Sequence, residues 1–438
     1  MLEIADEVPP RSPGRCRPGS PASPGYIDGF LAEKYCNAGK NDYRRPWIRK
    51  PQDLKKCDTG SRSVKTKGAL VWGFNQRWSV EEIVLGEPRR GEVKVRMEAA
   101  GLCHSDHHVV SGDIPMAAFP MLGGHEGAGV VVEVGEGVDG LSVGDHVAAS
   151  FVPSCGTCPS CRAGETNLCD LGMGLMAGTA VSDGTFRVQA KGQNVYPYAL
   201  LGTFAPYVVV HQTSLVKIDP DVPFDIAALV SCGVTTGFGS ATRAAEVRPG
   251  DDVVVVGLGG VGTAAVLGAV SCGAHRIFVV DPVAWKRDQA LKFGATHTYA
   301  DIDTALMAIA QITAGRMARK VIVTVGRVDG ADLDKYVSVT SKGGTCVITA
   351  MGSVVETDVT LNLSLFALLQ KRLQGTIFGG GNPQHDIPLI LSMYKSGRLN
   401  LDDMVTRRYS LEQINEGYSD MLEGRNIRGV ITFDDSDR

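Results

Sequence analysis

Six consecutive residues, Cys103-His104-Ser105-Asp106-His107-His108, carry a thiol, three imidazoles, a hydroxyl and a carboxylate. A thiolate can hold a borderline metal such as zinc, and hydroxyls and imidazoles can pass protons. Gly123-Gly124-His125-Glu126-Gly127 follows after a short gap and adds another imidazole and another carboxylate. Taken alone, these residues suit an ordinary loop as well as a site. Two further patterns weigh against coincidence. The first is Cys155-Gly156-Thr157-Cys158-Pro159-Ser160-Cys161, with Cys169 after seven further residues. Four thiolates in one small lobe make a tetrahedral site that suits zinc, closed to substrate and therefore structural. An iron–sulfur cluster is the rival, and the last gap fits the common ferredoxin spacings poorly. The second pattern is Val253-Val254-Val255-Val256-Gly257-Leu258-Gly259-Gly260-Val261-Gly262, a strand, then G-x-G-x-x-G, then a helix. In such a turn Gly257 permits the tight bend, Gly259 lets the backbone approach a pyrophosphate, and Gly262 lets helix and strand pack closely. The helix N-terminus then presents free N–H groups to phosphate. Asp281, nineteen residues after Gly262, ends the next strand. A carboxylate there accepts from both ribose hydroxyls of NAD and repels the extra phosphate of NADP, so NAD is favoured. Asp281 also suits a helix cap ahead of Pro282.

These residues need a frame to position them. A chain of 438 residues predicts two domains, and 44% apolar with 21% charged residues is the composition of a soluble globular protein. The net charge of -4 makes no case for nucleic acid or an anionic membrane as partner. Eleven cysteines, an odd number, with no secretory signal argue against a disulfide framework and for a reducing, cytoplasmic setting. The longest uncharged apolar run, Val253 to Val270, holds five glycines and reads as strand, turn and helix, not as a membrane span. Residues 1–63 are rich in Pro, Arg, Gly and Ser and predict a disordered extension. From Lys65 alternating segments predict strands, among them Glu92–Glu98, whose alternation predicts a half-exposed strand leading straight to Cys103. An apolar helix is expected from Pro223 toward Ser231-Cys232-Gly233, with Cys232 in a glycine-flanked break. Residues 234–376 alternate apolar strands with helices, the pattern of a parallel sheet covered on both faces. Arg428–Phe433 predicts a last strand.

The combination of Cys103, His125, Cys232, a four-Cys lobe and the dinucleotide fingerprint resembles the zinc-dependent medium-chain alcohol dehydrogenases. The resemblance covers about Lys65 to Phe433. Within that family it is nearest to the actinobacterial, nitrosodimethylaniline-dependent enzymes, through Gly68-Ala69-Leu70-Val71-Trp72, Asp281-Pro282-Val283-Ala284-Trp285-Lys286-Arg287 and Ile377-Phe378-Gly379-Gly380-Gly381-Asn382-Pro383. The fold it implies is α/β: a β-rich GroES-like catalytic domain, residues 64–233 and 377–438, around a Rossmann domain, residues 234–376. It implies two zinc ions per chain. Cys103, His125 and Cys232 hold the catalytic one, with Glu126 close behind it and Asp106 orienting His125; Cys155, Cys158, Cys161 and Cys169 hold the structural one. It implies oxidation of a primary alcohol to an aldehyde, with hydride passing to NAD. The released proton would pass by Ser105 and the cofactor ribose to His108, and so to solvent. Cofactor contacts are implied at Gly257, Gly259, Gly260 and Gly262, at Asp281 and Lys286 on the ribose side, and at His104 and Arg428 toward the pyrophosphate. Thr236 and Val261 would pack on the nicotinamide, and Phe151 and Met351 would wall the substrate pocket. His107 has no implied role. NAD held too tightly to exchange, reoxidised by the carrier mycofactocin, and a homo-oligomer complete the implied picture.

Two alternatives stay open. A thiol-adduct formaldehyde dehydrogenase would require the thiol in its assay. A non-catalytic zinc or nucleotide-binding protein would hold one zinc per chain instead of two. Residues 1–63 have no counterpart in the family pattern, and Val64-Lys65-Thr66-Lys67-Gly68-Ala69 resembles a usual family start with Val for Met. The expectation is therefore initiation at the Val64 codon, which peptides from residues 1–60 in native protein would refute.

Overall fold

The computed structural model describes residues 63–438, so the expectation for the N-terminal extension lies outside the described residues apart from Ser63. Val64–Val71 and Ser79–Leu85 pair antiparallel and anchor a six-stranded sheet. A seven-stranded sheet is built on Glu92–Gly101, flanked by Gly127–Val134 on one side and by the last strand, Arg428–Thr432, on the other. In that last pairing Ile431 faces Ala100 and Val430 faces Gly101. The end of the chain thus returns to the strand that delivers Cys103.

Glu92–Gly101 departs from its expected half-exposure. Other elements cover it, and Glu92 and Lys94 are buried with it. Each finds an ionic partner: Glu92 receives Arg187 Nε and an Nη, both at 2.7 Å, and Lys94 donates to Glu133. The alternation was real, but its polar half is satisfied by side chains instead of water.

The third sheet has six parallel strands in the order His297–Tyr299, Arg276–Val280, Asp252–Val256, Ala318–Val323, Thr340–Ile348, Arg372–Gly375. Numbered along the chain this is 3-2-1-4-5-6, the doubly wound dinucleotide-binding order. The strand order reverses between Asp252–Val256 and Ala318–Val323, and a crevice opens beyond their carboxyl ends. Gly257 to Gly260 and Thr324 to Gly326 border it. The Val253–Val270 run is strand, turn and helix: Asp252–Val256, then a helix over Gly260–Ser271.

The expected break at Cys232 is absent. A helix runs without interruption from Phe224 to Ala244 and takes two π-turns, at Val230–Val234 and Ser240–Ala244. The extra residue in each wide turn keeps the helix going past Gly233 where a sequence pattern reads an end. Its first part packs on Glu92–Gly101 and its second on the helix Gly260–Ser271. It is apolar around its circumference because it is buried around its circumference. One apolar cluster accordingly runs from Ala99 and Ala128 through Ala227 and Val234 to Val253 and Ile322. Among the described residues this is the one helix long and apolar enough to cross a bilayer, and 83% of its apolar window is inside the fold.

Candidate active site

Cys103 to His108 form a helix and its cap, not a loop. Cys103 is the extended N-cap residue, φ -129° and ψ 150°, and the helix spans His104–Ser111. Helical spacing sorts the crowded side chains by direction. His104, Ser105 and His108 line the cleft at the crevice. Asp106, fully buried, points the other way, and half-buried His107 lines neither side.

Asp106 meets the second fragment. Its Oδ1 accepts from Gly124 N at 2.8 Å, and its Oδ2 stands 3.0 Å from His125 Nδ1. That second contact is close enough for an ion pair, though its angles fall short of a hydrogen bond. Gly124 has φ +93°, and a Cβ there would stand 2.6 Å from the Phe204 nitrogen, so only glycine fits this turn. The far nitrogen of His125, Nε2, is buried without a partner. It faces a cluster in which one ligand atom from each of Cys103, His125, Glu126 and Cys232 lies within 4.8 Å of the others. Cys232 comes to this cluster from the first π-turn.

Burial and close contact shift the titratable groups of the cluster in opposite directions. Burial opposes charge on His125, but Asp106 and Cys103 outweigh it and push its pKa well above the imidazole range. The Cys232 thiol holds Cys103 well below the ordinary thiol range, while the same contact and burial hold Cys232 well above it. Burial pushes the Glu126 carboxyl up to about 8 against the pull of Arg428. An orphaned imidazole nitrogen and two buried sulfurs fit the donor set of a Cys2His zinc site with its fourth position free. Glu126 Oε1 accepts from Gly233 N at 3.2 Å and Oε2 accepts from Arg428.

Arg428 is buried, so it is no solvated strand charge. It reaches from Glu126 across Gly260, where a Cβ would stand 2.0 Å from Arg428 Cδ. Its guanidinium is thus already paired with Glu126 while it borders the cleft. The cleft, about 440 Å³, is lined on the sheet side by Gly257–Val261, Asp281, Lys286 and Gly326. Gly257 has φ +92°, and a Cβ on Gly262 would lie 1.9 Å from Gly257 O. A Cβ on Gly259 would meet nothing within 4 Å, which leaves room over the loop for a bulky group. Asp281 does not cap the next helix; Val283 does. Its two carboxylate oxygens accept from Leu258 N and Val283 N at 2.7 and 2.9 Å, which ties the glycine turn to the neighbouring strand. Burial pulls Lys286 below the usual lysine range. Burial also pulls His104 down to about 4, so it is neutral at pH 7.

Other expected residues fall differently. Thr236 does not line the cleft: it sits one turn past Cys232, and its helix is pressed under the glycine loop, where a Cβ on Gly237 would stand 2.0 Å from Val261 O. Phe151 lies edge-on to the His125 ring at 5.6 Å, and Met351 borders the cleft at 41% exposure. Ser105 Oγ is 3.8 Å from Cys103 Sγ. His108 is not at the solvent boundary; it is 3% exposed and bonded at both ring nitrogens. Two neighbours had no signal in the sequence. Tyr198 donates to Ser105 O at 3.2 Å and stands edge-on to His125, and Asp113 accepts at His108 Nδ1. Both depend on where distant or following segments fold back.

The four-Cys lobe is separate. Cys155 and Cys161 sulfurs are 4.0 Å apart and Cys158 and Cys169 sulfurs 3.9 Å, all four within 4.8 Å. Cys158 N and Cys161 N point at sulfurs at 3.3 and 3.4 Å. Such N–H groups stabilise thiolates, and the set fits a closed tetrahedral zinc.

Family models cover both halves of this arrangement. The alcohol dehydrogenase GroES-like domain matches residues 89–220, and the zinc-binding dehydrogenase domain matches residues 260–396. The chain belongs to the zinc-binding alcohol dehydrogenase family. It is 69% identical to alcohol dehydrogenase B of Mycobacterium tuberculosis over 375 residues, 86% of this chain and all of that one. It is 45% identical to the NDMA-dependent alcohol dehydrogenase of Amycolatopsis methanolica, over 84% of this chain and 99% of the relative. Among solved structures, benzyl alcohol dehydrogenase of Acinetobacter calcoaceticus superposes with a TM-score of 0.78 at 27% identity, over 85% of this chain and 100% of the other. The GroES-like and doubly wound architecture expected from the sequence is therefore the family's own, and the chain is an alcohol dehydrogenase.

Proposed function

We propose that this alcohol dehydrogenase oxidises a primary alcohol to an aldehyde with NAD, using two zinc ions per chain. The observation that carries the reading is that Cys103, which lines the cleft bordered by Gly257–Val261 and Asp281, converges with His125 and Cys232. Cys103, His125 and Cys232 would hold the catalytic zinc, and Cys155, Cys158, Cys161 and Cys169 the structural one. Bound there, zinc supplies Lewis-acid polarisation of the alcohol oxygen, and NAD supplies the hydride acceptor. Asp106 fixes the ring of His125 so that Nε2 keeps its aim. Ser105, at the lip of the metal cluster, would take the hydroxyl proton, and His108 would receive it on the cleft side. Gly259 gives phosphate room, Asp281 holds the loop and meets the ribose, and Arg428 and Lys286 offer positive charge along the cleft. His104, being neutral, offers phosphate a hydrogen bond without charge.

The domain division we propose keeps residues 64–233 and 377–438 with the zinc sites and 234–376 with NAD, the helix Phe224–Ala244 being shared. The likeness to the NDMA-dependent enzyme supports a cofactor that stays bound and is reoxidised by an external carrier such as mycofactocin. We place the enzyme in the cytoplasm as a homo-oligomer, an assembly that the exposed leucines beside the strand Arg372–Gly375 support. Denaturing the purified protein and measuring released zinc and NAD(H) together tests the reading; two zinc and near one NAD(H) per chain are expected. Brisk turnover with free NAD and no artificial acceptor would remove the bound-cofactor version. One zinc per chain would remove the catalytic site.

A further inference from the structure

His108 closes on two acceptors. Its Nδ1 is 3.1 Å from Asp113 Oδ2 and its Nε2 is 2.8 Å from Gly326 O. A carbonyl oxygen cannot donate, so Nε2 carries a hydrogen in this arrangement. Asp113 is held below the usual carboxylate range: burial opposes this, but His108, Ser111 and Arg327 outweigh it. It is therefore ionised near neutrality and can only accept at Nδ1. The carboxylate is itself firmly placed. Ser111 Oγ donates to Oδ2 at 2.8 Å, Arg327 Nε donates to Oδ1 at 3.3 Å, and Val354 N donates to the Asp113 carbonyl at 3.1 Å. Arg327 is in turn paired with Glu356. Asp113 thus gathers donors from the helix of the reactive cluster and from two loops of the parallel-sheet side.

The consequence concerns which nitrogen of His108 exchanges its proton. Nδ1 faces an anion that two other donors keep in place, and a proton there is stabilised. Nε2 faces a neutral carbonyl at the cleft edge, and a proton there is the one that leaves. From this geometry we infer that Asp113 is a positioning residue for the proton path: it keeps the Nδ1 proton of His108 in every state and so makes Nε2 the exchanging nitrogen. Without its proton, Nε2 has nothing to donate to Gly326 O, and the lone pair is repelled from that oxygen toward the cleft. It takes a proton arriving from the substrate side, holds it on Nε2 in the hydrogen bond to Gly326 O, and releases it to solvent. The inference rests on the proposed place of His108 in the relay.

The charged and titratable groups around His108 are few. On its own helix are His104, its ring centre 6.4 Å away, His107, and Asp106, whose carboxylate is turned to Gly124 and His125. Beyond the helix is Asp113, with Arg327 and, through Arg327, Glu356 from the facing loops. Two substitutions should therefore move the same equilibrium in opposite directions. Asp113→Asn removes the anion, so the midpoint of the pH dependence of alcohol oxidation moves down by about one unit. Arg327→Met frees the carboxylate of a competing cation, so the midpoint moves up.

The test uses zinc-loaded, NAD-bound enzyme with the His ring nitrogens labelled with ¹⁵N and His108 assigned by its Gln variant. Above the midpoint the wild type should show Nε2 as the bare nitrogen. Asp113→Asn should lose that preference and cut kcat about tenfold or more at unchanged zinc content, with Asp113→Glu restoring part of both. A bare Nδ1 in the wild type, or Asp113→Asn and Arg327→Met shifting the midpoint the same way, would overturn the inference. Should the wild type oxidise no alcohol, the relay reading fails, and the ring-nitrogen spectrum still decides the role of Asp113. Should Asp113→Asn not fold, the wild-type spectrum and Arg327→Met decide it.

Discussion

At the residue scale, the proposed function turns on directions set by a helix. Cys103 as N-cap, Ser105 and His108 one turn apart on the cleft side, and Asp106 behind them need only one α-helical turn to take distinct tasks. Replacing Cys103 with Ala should abolish alcohol oxidation and lower zinc from two ions per chain to one, with the four-Cys lobe still loaded, as metal analysis would report. Asp106→Ala removes the anion behind His125 without touching a sulfur. It should weaken the catalytic zinc by about 10- to 100-fold in chelator competition and leave the lobe's zinc unchanged. The residue types were legible from the chain, and the family resemblance named the partners in the metal cluster. Asp113 and Tyr198 were not, because a carboxylate ten residues past Cys103 and a tyrosine before a glycine turn carry no motif. Thr236 shows the converse: its distance from Cys232 is legible, but the tight seating of its helix under Val261 is a packing result.

At the element scale, the helix Phe224–Ala244 is the joint of the molecule. Its π-turn brings Cys232 to the metal cluster, and its next turns carry the glycine loop. The sequence around Ser231-Cys232-Gly233 reads as an end because glycine disfavours helix; packing on both sides overrides that preference. The strand Glu92–Gly101 teaches the same lesson about polar residues. Glu92 is 1% exposed and Arg187 4%, and the pair is bidentate, with Ser182 donating to Glu92 and Asp183 on Arg187. Arg187→Ala leaves the Glu92 carboxylate buried and unpaired, and should cost about 3–5 kcal/mol in denaturant unfolding. Asp183 gives this segment a pH signature. Burial opposes ionisation, but Thr185, Arg89 and Arg187 hold its carboxyl well below the usual range. A depressed acid stabilises the fold above its unfolded pKa of about 3.9, and that stability drains away as pH falls further. Asp183→Asn should therefore flatten the acid limb of the stability curve below about pH 4 and matter little to its shape at pH 7.

At the scale of the whole molecule, one surface is unfinished. Arg372–Gly375 is the outer strand of the parallel sheet, bonded on one side only and exposed along its length. Beside it Leu363, Leu365 and Leu368 stand 71%, 51% and 81% exposed on a short helix. An open strand edge and a leucine face invite a second copy of the chain. Leu368→Glu should shift the sedimenting species from an oligomer to a single chain; an unchanged mass would place the contact elsewhere. The sequence by itself determined the chemistry available: two zinc-type donor sets, a dinucleotide turn, and a parallel sheet alternating with helices. Local rules suffice for these, since ligand spacing, glycine turns and apolar runs each act over a few residues. What only the tertiary structure decided is which groups meet. Cys232 reaches Cys103 across 129 positions of chain, Arg428 reaches Glu126 across 302, and His108 becomes a buried ring between Asp113 and Gly326 instead of a group at the surface. Those contacts come from burying one apolar core through a shared helix, a global balance of packing that no short stretch of sequence encodes.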